Sequence, residues 1–207
     1  IPFGTQHNVY AKGYEFVKHS IFPKDHHKIK GDRVVFGSDK CSQKYDASII
    51  NISAMSFGSL SKNAVMALNQ GAKMGNFAHN TGEGGISPYH LQGWDLIFQV
   101  GTGYFGAGKH DENGIRTFDA DMFKRNAAQP EVKMIEIKLS QGAKPGHGGI
   151  LPAKKNTEEI AKIRSVVPFT RVDSPPGHTA FSNYDEMVLF IQKVRDLSGG
   201  KPIGIKL

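Results

Sequence analysis

The stretch Lys138 to Ile150, K-L-S-Q-G-A-K-P-G-H-G-G-I, follows the apolar alternating run Val132 to Leu139 and contains five glycines or prolines and two cationic side chains. A strand that ends in such a loop is a place for chemistry. Glycines let backbone N–H groups approach a ligand, and Lys144 stands among them as a fixed positive charge. Taken alone, the loop reads equally well as a surface turn with a solvated lysine, since a single glycine-rich loop is a weak signal. Its company raises its value, because other strand-like runs end in similar loops. In Thr81-Gly82-Glu83-Gly84-Gly85 the carboxylate of Glu83 sits among glycines at the end of another short run. Alone it is a turn glutamate in solvent.

These loops need elements to position them. Residues 1–46 mix aromatic, basic and turn residues, with one extended candidate, Arg33 to Phe36, and are expected to form a lead-in that covers one end of the domain. Residues 47–207 then alternate strand-like and helix-like runs. Ala47 to Met55 is β-branched with few charges, as in strands buried on both faces of a parallel sheet. Ser59 is the expected cap of a helix reaching Met74. Further strands are expected at Asn76 to Asn80, Asp95 to Gly101, Val132 to Leu139, Arg171 to Asp173 and Pro202 to Leu207. Helices are expected at Phe118 to Ala128, Asn156 to Ser165 and Asn183 to Leu197, the last with Met187, Phe190, Ile191 and Val194 on one stripe. Lys109 to Gly114 reads as polar and mobile.

Such alternation indicates an α/β protein with a parallel sheet. About six β/α units fit either an open doubly wound sheet or most of a (β/α)8 TIM barrel. In a barrel every strand-to-helix loop converges on one mouth, whereas in an open sheet only those near the switch point do. Polar, glycine-rich loops after nearly every strand favour the barrel, incomplete by two units.

Composition excludes several classes. With 39% hydrophobic and 22% charged residues over 207 positions, the chain is ordinary globular protein, and no apolar run approaches a membrane span. Its net charge of +7 comes from scattered lysines and arginines, so it favours anionic ligands in general rather than nucleic acid. Cys41 is the only cysteine, which rules out an internal disulfide, a cysteine-built zinc site or an iron–sulfur cluster ligated within the chain. That suits a reducing cytoplasm. The adjacent pair His26 and His27 is not at metal-ligand spacing and is expected at the surface, so no metal site is expected. The start at Ile1 without a signal peptide, and the end at Leu207 inside an expected strand, point to a fragment of something longer.

Three motifs in sequence order carry a resemblance. N-I-S-A-M-S-F-G-S-L-S (Asn51 to Ser61), N-T-G-E-G-G (Asn80 to Gly85) and Lys138 to Gly149 resemble the FMN-binding synthase domain of glutamate synthases. Ser87-Pro88-Tyr89-His90, Gly101 to Gly106 and Pro145 to Ile150 resemble most the short, stand-alone glutamate-synthase-like proteins.

The resemblance implies a (β/α)8 barrel that holds FMN and reduces 2-iminoglutarate, formed from 2-oxoglutarate and ammonia, to L-glutamate. It implies FMN contacts for Ala54, Met55, Ser56, Asn80, Gln141 and Lys206, with Lys206 near the pyrimidine edge. There a lysine can stabilise the negative charge of reduced flavin. Met55, Lys144 and Arg164 match substrate-binding positions, and Glu83 matches a loop glutamate that orients the imine or handles a proton. Glu83 and Lys144 are thus the catalytic candidates. Electrons are expected from ferredoxin or a pyridine-nucleotide reductase subunit, and any iron–sulfur cluster from residues outside this chain.

His147 and Ile150 depart from the pattern K-P-G-E-G-G-Q of glutamate synthases, whose glutamine helps bind 2-oxoglutarate. A lost polar partner changes discrimination strongly, which leaves two alternatives: an FMN barrel acting on a different oxo or imino acid, or a non-catalytic barrel. Because FMN phosphate usually binds in the barrel's last quarter, the isolated 207-residue chain is expected to emerge from gel filtration without stoichiometric yellow flavin. Unpaired sheet edges are expected to make it self-associate, so a concentration-independent monomer by light scattering would count against the unclosed sheet.

Overall fold

The computed structural model describes residues 8–15, 18, 20–25, 28, 33–141 and 146–207. His26, His27 and Lys144 lie outside the described residues. By its contacts the chain divides into two units, residues 1–31 and 32–207. The first carries turns such as the one closed by Ala11 N–H on Asn8 O at 3.0 Å.

In the second unit, β1 (Arg33–Phe36) and β2 (Tyr45–Ser48) form an antiparallel hairpin, followed by α1 (Lys62–Gly75), β3 (His79–Asn80) and β4 (Leu96–Val100). A second hairpin, β5 (Gly108–His110) with β6 (Arg116–Phe118), leads into α2 (Ala120–Ala127) and β7 (Val132–Lys138). Then come β8 (Ile150–Leu151), α3 (Glu158–Arg164), β9 (Val172–Asp173), α4 (Tyr184–Leu197) and β10 (Ile203–Lys206). The main sheet has the order β10-β7-β4-β3, parallel throughout. Ile52 extends it by a parallel bridge to His79. The chain is therefore mixed α/β with a parallel sheet whose strands stand side by side in sequence order.

Several expectations change. Of the run Ala47 to Met55, only Ile52 joins the parallel sheet, because Tyr45 to Ser48 pair with the antiparallel hairpin. Between the two, Asn51 donates to Ser48 O (2.6 Å) and accepts from Ala78 N–H (2.8 Å), local bonds that compete with a continuous ladder. Ile49 and Ile50 are consequently exposed. Ser61, not Ser59, caps α1, since the turn at Gly58 runs on to Leu60 and Ser59 Oγ is engaged by Ser56 Oγ. Lys109 to Gly114 lies in the β5–β6 hairpin, its turn closed by Asp111 Oδ1 accepting from Asn113 N–H and Ile115 N–H. Phe118 belongs to β6, and Asp119 caps α2 by accepting from Met122 N–H at 2.8 Å. Thr157 caps α3, while the Asn156 amide is drawn instead to Val167 O and Thr170 O.

The expected fifth parallel strand is also different. Val172–Asp173 pairs antiparallel with Ile150–Leu151, and β10 pairs directly with β7. Prolines at 168, 175 and 176 bracket it, removing the donors that a longer ladder would need. Residues 139–202 are thus one long crossover that carries its own small ribbon.

Strand alternation sorts side chains onto two faces. On one, Leu96, Phe98, Val100, Ile135 and Ile137 pack with Phe123 and Ala127 of α2 and Phe190 and Val194 of α4. Fully burying each large side chain there stabilises by about 1.5–3 kcal/mol. On the other, Ala78, Ile97 and Met134 pack against Tyr45 and Ala47, so the first hairpin plugs the strands' N-terminal end. Toward their C-terminal ends that same face turns polar.

His79 points from β3 to the helix side, fully buried, with neither ring nitrogen hydrogen-bonded among the described residues. Burial, with a smaller contribution from His90, lowers its pKa to about 4. The folded state therefore binds fewer protons than the unfolded one between about pH 6.5 and pH 4, and stability falls as pH falls through that window. Unfolding in urea at pH 7 and pH 4.5 is expected to show a loss of roughly 2–3 kcal/mol that His79→Gln lacks. An identical loss in the variant would remove this residue as its source.

Candidate active site

The polar half of the sheet face is built around Glu136, in the middle of β7. Its Oε1 accepts from Asn80 Nδ2 (2.8 Å) and Gln99 Nε2 (2.5 Å), tying three adjacent strands together. Asn80 Oδ1 accepts from Gly82 N–H (3.0 Å), which starts the turn into Thr81-Gly82-Glu83.

One step nearer the strand ends, Lys138 Nζ lies 3.4 Å from Glu83 Oε1 and 3.0 Å from Gln141 Oε1. Gln141 Nε2 donates to the same Glu83 oxygen at 2.6 Å. Glycines cradle this carboxylate: a Cβ on Gly101 would stand 2.5 Å from Glu83 Oε2, and one on Gly149 2.9 Å from Oε1. Lys206 is aligned with Lys138 across β7 and β10, so it shares this face, and it is half-buried. Its ammonium has no partner among the described residues.

Ala54, Met55 and Ser56 form a half-buried lip beside these groups. The backbone of Met55 is pinned at both ends, its N–H on Asn80 O (3.1 Å) and its carbonyl on His90 Nε2 (2.9 Å). His90 Nδ1 accepts from Ser87 N–H (3.1 Å), which puts the ring proton on Nε2, and burial lowers its pKa so that the neutral form persists. Gly82, at φ +67°, allows close approach, because a Cβ there would lie 2.7 Å from Ser56 N.

Arg164 closes the other side. It is the last residue of α3, only 6% exposed, and donates through Nη2 to Phe57 O at 3.1 Å. Its Nε has no partner among the described residues. The guanidinium lies 5.0 Å over the Phe105 ring. Burial lowers its pKa, opposed by the charge of Glu83. A Cβ on Gly84 would meet Nη2 at 2.9 Å, so the glycine loop after β3 makes room for this side chain.

Between these groups opens a cavity of about 190 Å³, lined by Glu83, Phe105, Gln141, Ile150, Arg164 and Ser174, with Ser56 at its edge. A buried guanidinium without a bonded carboxylate is costly and calls for an anion. The arrangement can therefore seat a small carboxylate at Arg164 with its other end toward Glu83, Gln141 and Lys138. Among the described residues, no group of three metal-ligating side chains occurs.

Glu83, Gln141 and Arg164, named from sequence, line this one cavity, with the Ala54–Ser56 lip beside it. Asn80 lies a layer deeper, committed to Glu136 and Gly82. Ile150 lines the cavity and is half exposed, and His147 is exposed. Lys138, Phe105 and Glu136 are additions. Alternation along Val132 to Lys138 already put Glu136 and Lys138 on one face, but nothing local said that this face was the site.

A family model described as the conserved region in glutamate synthase matches residues 8–207. The chain is 45% identical over 179 residues to the glutamate synthase large subunit-like protein YerD of Bacillus subtilis, covering 85% of this chain and 33% of that protein. It is 34% identical over 161 residues to an archaeal-type glutamate synthase [NADPH] of a Thermotoga species, covering 76% and 28%. It is also 32% identical to the glutamate synthase [NADPH] large chain of Bacillus subtilis, covering 74% and 10%. The chain thus spans about a third or less of these relatives.

Glu136→Leu would leave the Asn80 and Gln99 amides buried without their shared acceptor, and about 2–4 kcal/mol of stability is expected to be lost. Glu136→Gln, which keeps one carbonyl oxygen, should lose less. Chemical denaturation of the two variants checks this, and equal losses would show that the acceptor is not the cause.

Proposed function

The chain belongs to the glutamate synthase family, and on that premise we propose that it is part of an FMN-dependent oxidoreductase that reduces 2-iminoglutarate, formed from 2-oxoglutarate and ammonia, to L-glutamate. The observation that carries this reading is the buried Arg164, whose Nε has no partner among the described residues, lining one cavity with Glu83 and Gln141, which Lys138 holds. We place these residues at the mouth of a (β/α)8 barrel. Support comes from five parallel positions in sequence order, with the site at their C-terminal ends.

FMN fits the residues beside the cavity. The lip of Ala54, Met55 and Ser56 offers a backbone fixed at Met55, and Lys206 offers a cation without a partner among the described residues on the same face. These residues, with Gln141 and the remaining amide hydrogen of Asn80, would hold the flavin. When bound, FMN supplies the hydride. Arg164 binds one substrate carboxylate, and Lys144, by its match to the family position, binds the other. Glu83, held by Lys138 and Gln141, orients the imine nitrogen and handles its proton. Phe105 and Ile150 supply the apolar part of the pocket wall.

The reaction needs an electron donor, ferredoxin or a pyridine-nucleotide reductase, and an iron–sulfur cluster would come from residues outside this chain. We assign the reaction to the cytoplasm, in keeping with Cys41, whose thiol is free. A second reading rests on Ile150, which lines the cavity where glutamate synthases carry glutamine. It makes the substrate a different oxo or imino acid, with an apolar side chain.

Stopped-flow reoxidation of the reduced full-length enzyme separates the readings. Rapid reoxidation by 2-oxoglutarate plus ammonia is expected, and Arg164→Met should raise KM about 100-fold or more through loss of a buried charge pair. Reoxidation only by apolar 2-oxo acids with ammonia selects the second reading. None with either removes the assignment.

A further inference from the structure

Arg116 lies outside every motif that carries the family resemblance and outside the cavity lining. It is 6% exposed, and among the described residues no carboxylate is paired with it. Its Nε donates to Gly103 O (2.9 Å) and Nη1 to Ser165 O (2.8 Å). Its Nη2 is shared by Gly108 O (3.1 Å), Arg164 O (3.2 Å) and Tyr104 O (3.3 Å). Burial lowers its pKa to about 10, so it remains a cation at neutral pH.

Those five acceptors belong to two segments. Arg164 and Ser165 end α3, where carbonyls lack intrahelical partners, and Ser165 is left-handed at φ 54°. Gly103 and Tyr104 belong to the loop after β4 that carries Phe105, and Gly108 opens β5 at the end of that loop. One planar fork therefore joins the residue bearing the site guanidinium to the loop bearing the ring beneath it. The Phe105 ring receives both cations, Arg116 at 5.2 Å and Arg164 at 5.0 Å from its centroid. A negative π-face offsets part of the repulsion between them.

We infer that Arg116 is a positioning residue: by tying the end of α3 to the loop after β4, it sets Arg164 and Phe105 as the anion-binding wall of the cavity. Its own charge adds to the field that an incoming carboxylate meets. A lysine cannot replace it fully, because an ammonium has three donors and no planar fork. The inference rests on the reading of the cavity as a carboxylate site.

The test uses full-length holoenzyme, with 2-oxoglutarate and sulfate as separate probes in isothermal titration, and flavin content measured alongside. Arg116→Met is expected to weaken both probes at least tenfold and to raise KM, with kcat within about threefold and flavin content unchanged. Arg116→Lys should fall between, and Phe105→Leu should weaken both probes several-fold. Wild-type affinities in these variants, or a fall in kcat at unchanged Kd, would overturn the inference. If the Arg116 variants do not yield soluble holoenzyme, Phe105→Leu decides it: unchanged affinity refutes the wall. Sulfate binding without 2-oxoglutarate binding in the wild type removes the dicarboxylate reading, and the sulfate series then judges Arg116 alone. If neither anion binds the wild type, both fall.

Discussion

A guanidinium held out of water, with no carboxylate bonded to it among the described residues, sets the terms for the surrounding structure. Arg164 can be held there only because its neighbours supply what an acid would otherwise supply. Phe57 O takes one N–H, the Phe105 ring lies beneath the cation, and Glu83 contributes charge from across the cavity. The glycines of the loop after β3 are part of the same requirement, since a side chain at Gly84 would occupy the space of Nη2. Burial of this kind is expensive in a protein at rest and gains its value when an anion enters.

Behind the cavity the sheet face is graded. Ala78, Ile97 and Met134, plugged by Tyr45 and Ala47, form an apolar floor. Asn80, Gln99 and Glu136 form a hydrogen-bonded layer above it, and Lys138, Glu83 and Gln141 form the layer with the ion pair at the strand ends. Each layer is possible because the one beneath fixes strand register. A slip of one residue on β7 would turn Glu136 and Lys138 to the helix side and bring Ile135 and Ile137 into the cavity. The Glu136 carboxylate, bonded to two other strands, opposes such a slip.

The loops of the site are tied to one another as well as to the sheet. His178 bridges Lys138 O (2.8 Å) and the Tyr104 hydroxyl (3.0 Å), so the crossover returning to α4 is fastened to the end of β7 and to the loop after β4. Tyr104 itself, buried at φ 47°, sends its side chain to the core while Phe105 faces the cavity. Rigid support of this sort lets loops carry chemistry with precision.

Much of this could be read along the chain. The glycine loops around Glu83 and after Lys138, the amphipathic stripe of α4, and strands β4, β7 and β10 follow from local periodicity and turn chemistry. The order of three motifs was enough to place the chain in its family. Where the sequence misled, the competing interaction was local or topological. Asn51 broke the first strand, and two residues between prolines paired with Ile150–Leu151 instead of joining the sheet. What only the tertiary structure decided was which side chains meet. Arg116 reaches Arg164 and Ser165 across 48 and 49 residues, and Lys138 reaches Glu83 only because β3, β4 and β7 lie in register. Local pattern determines which face a side chain takes, whereas contacts between distant residues depend on strand pairing, and no single stretch of sequence encodes that.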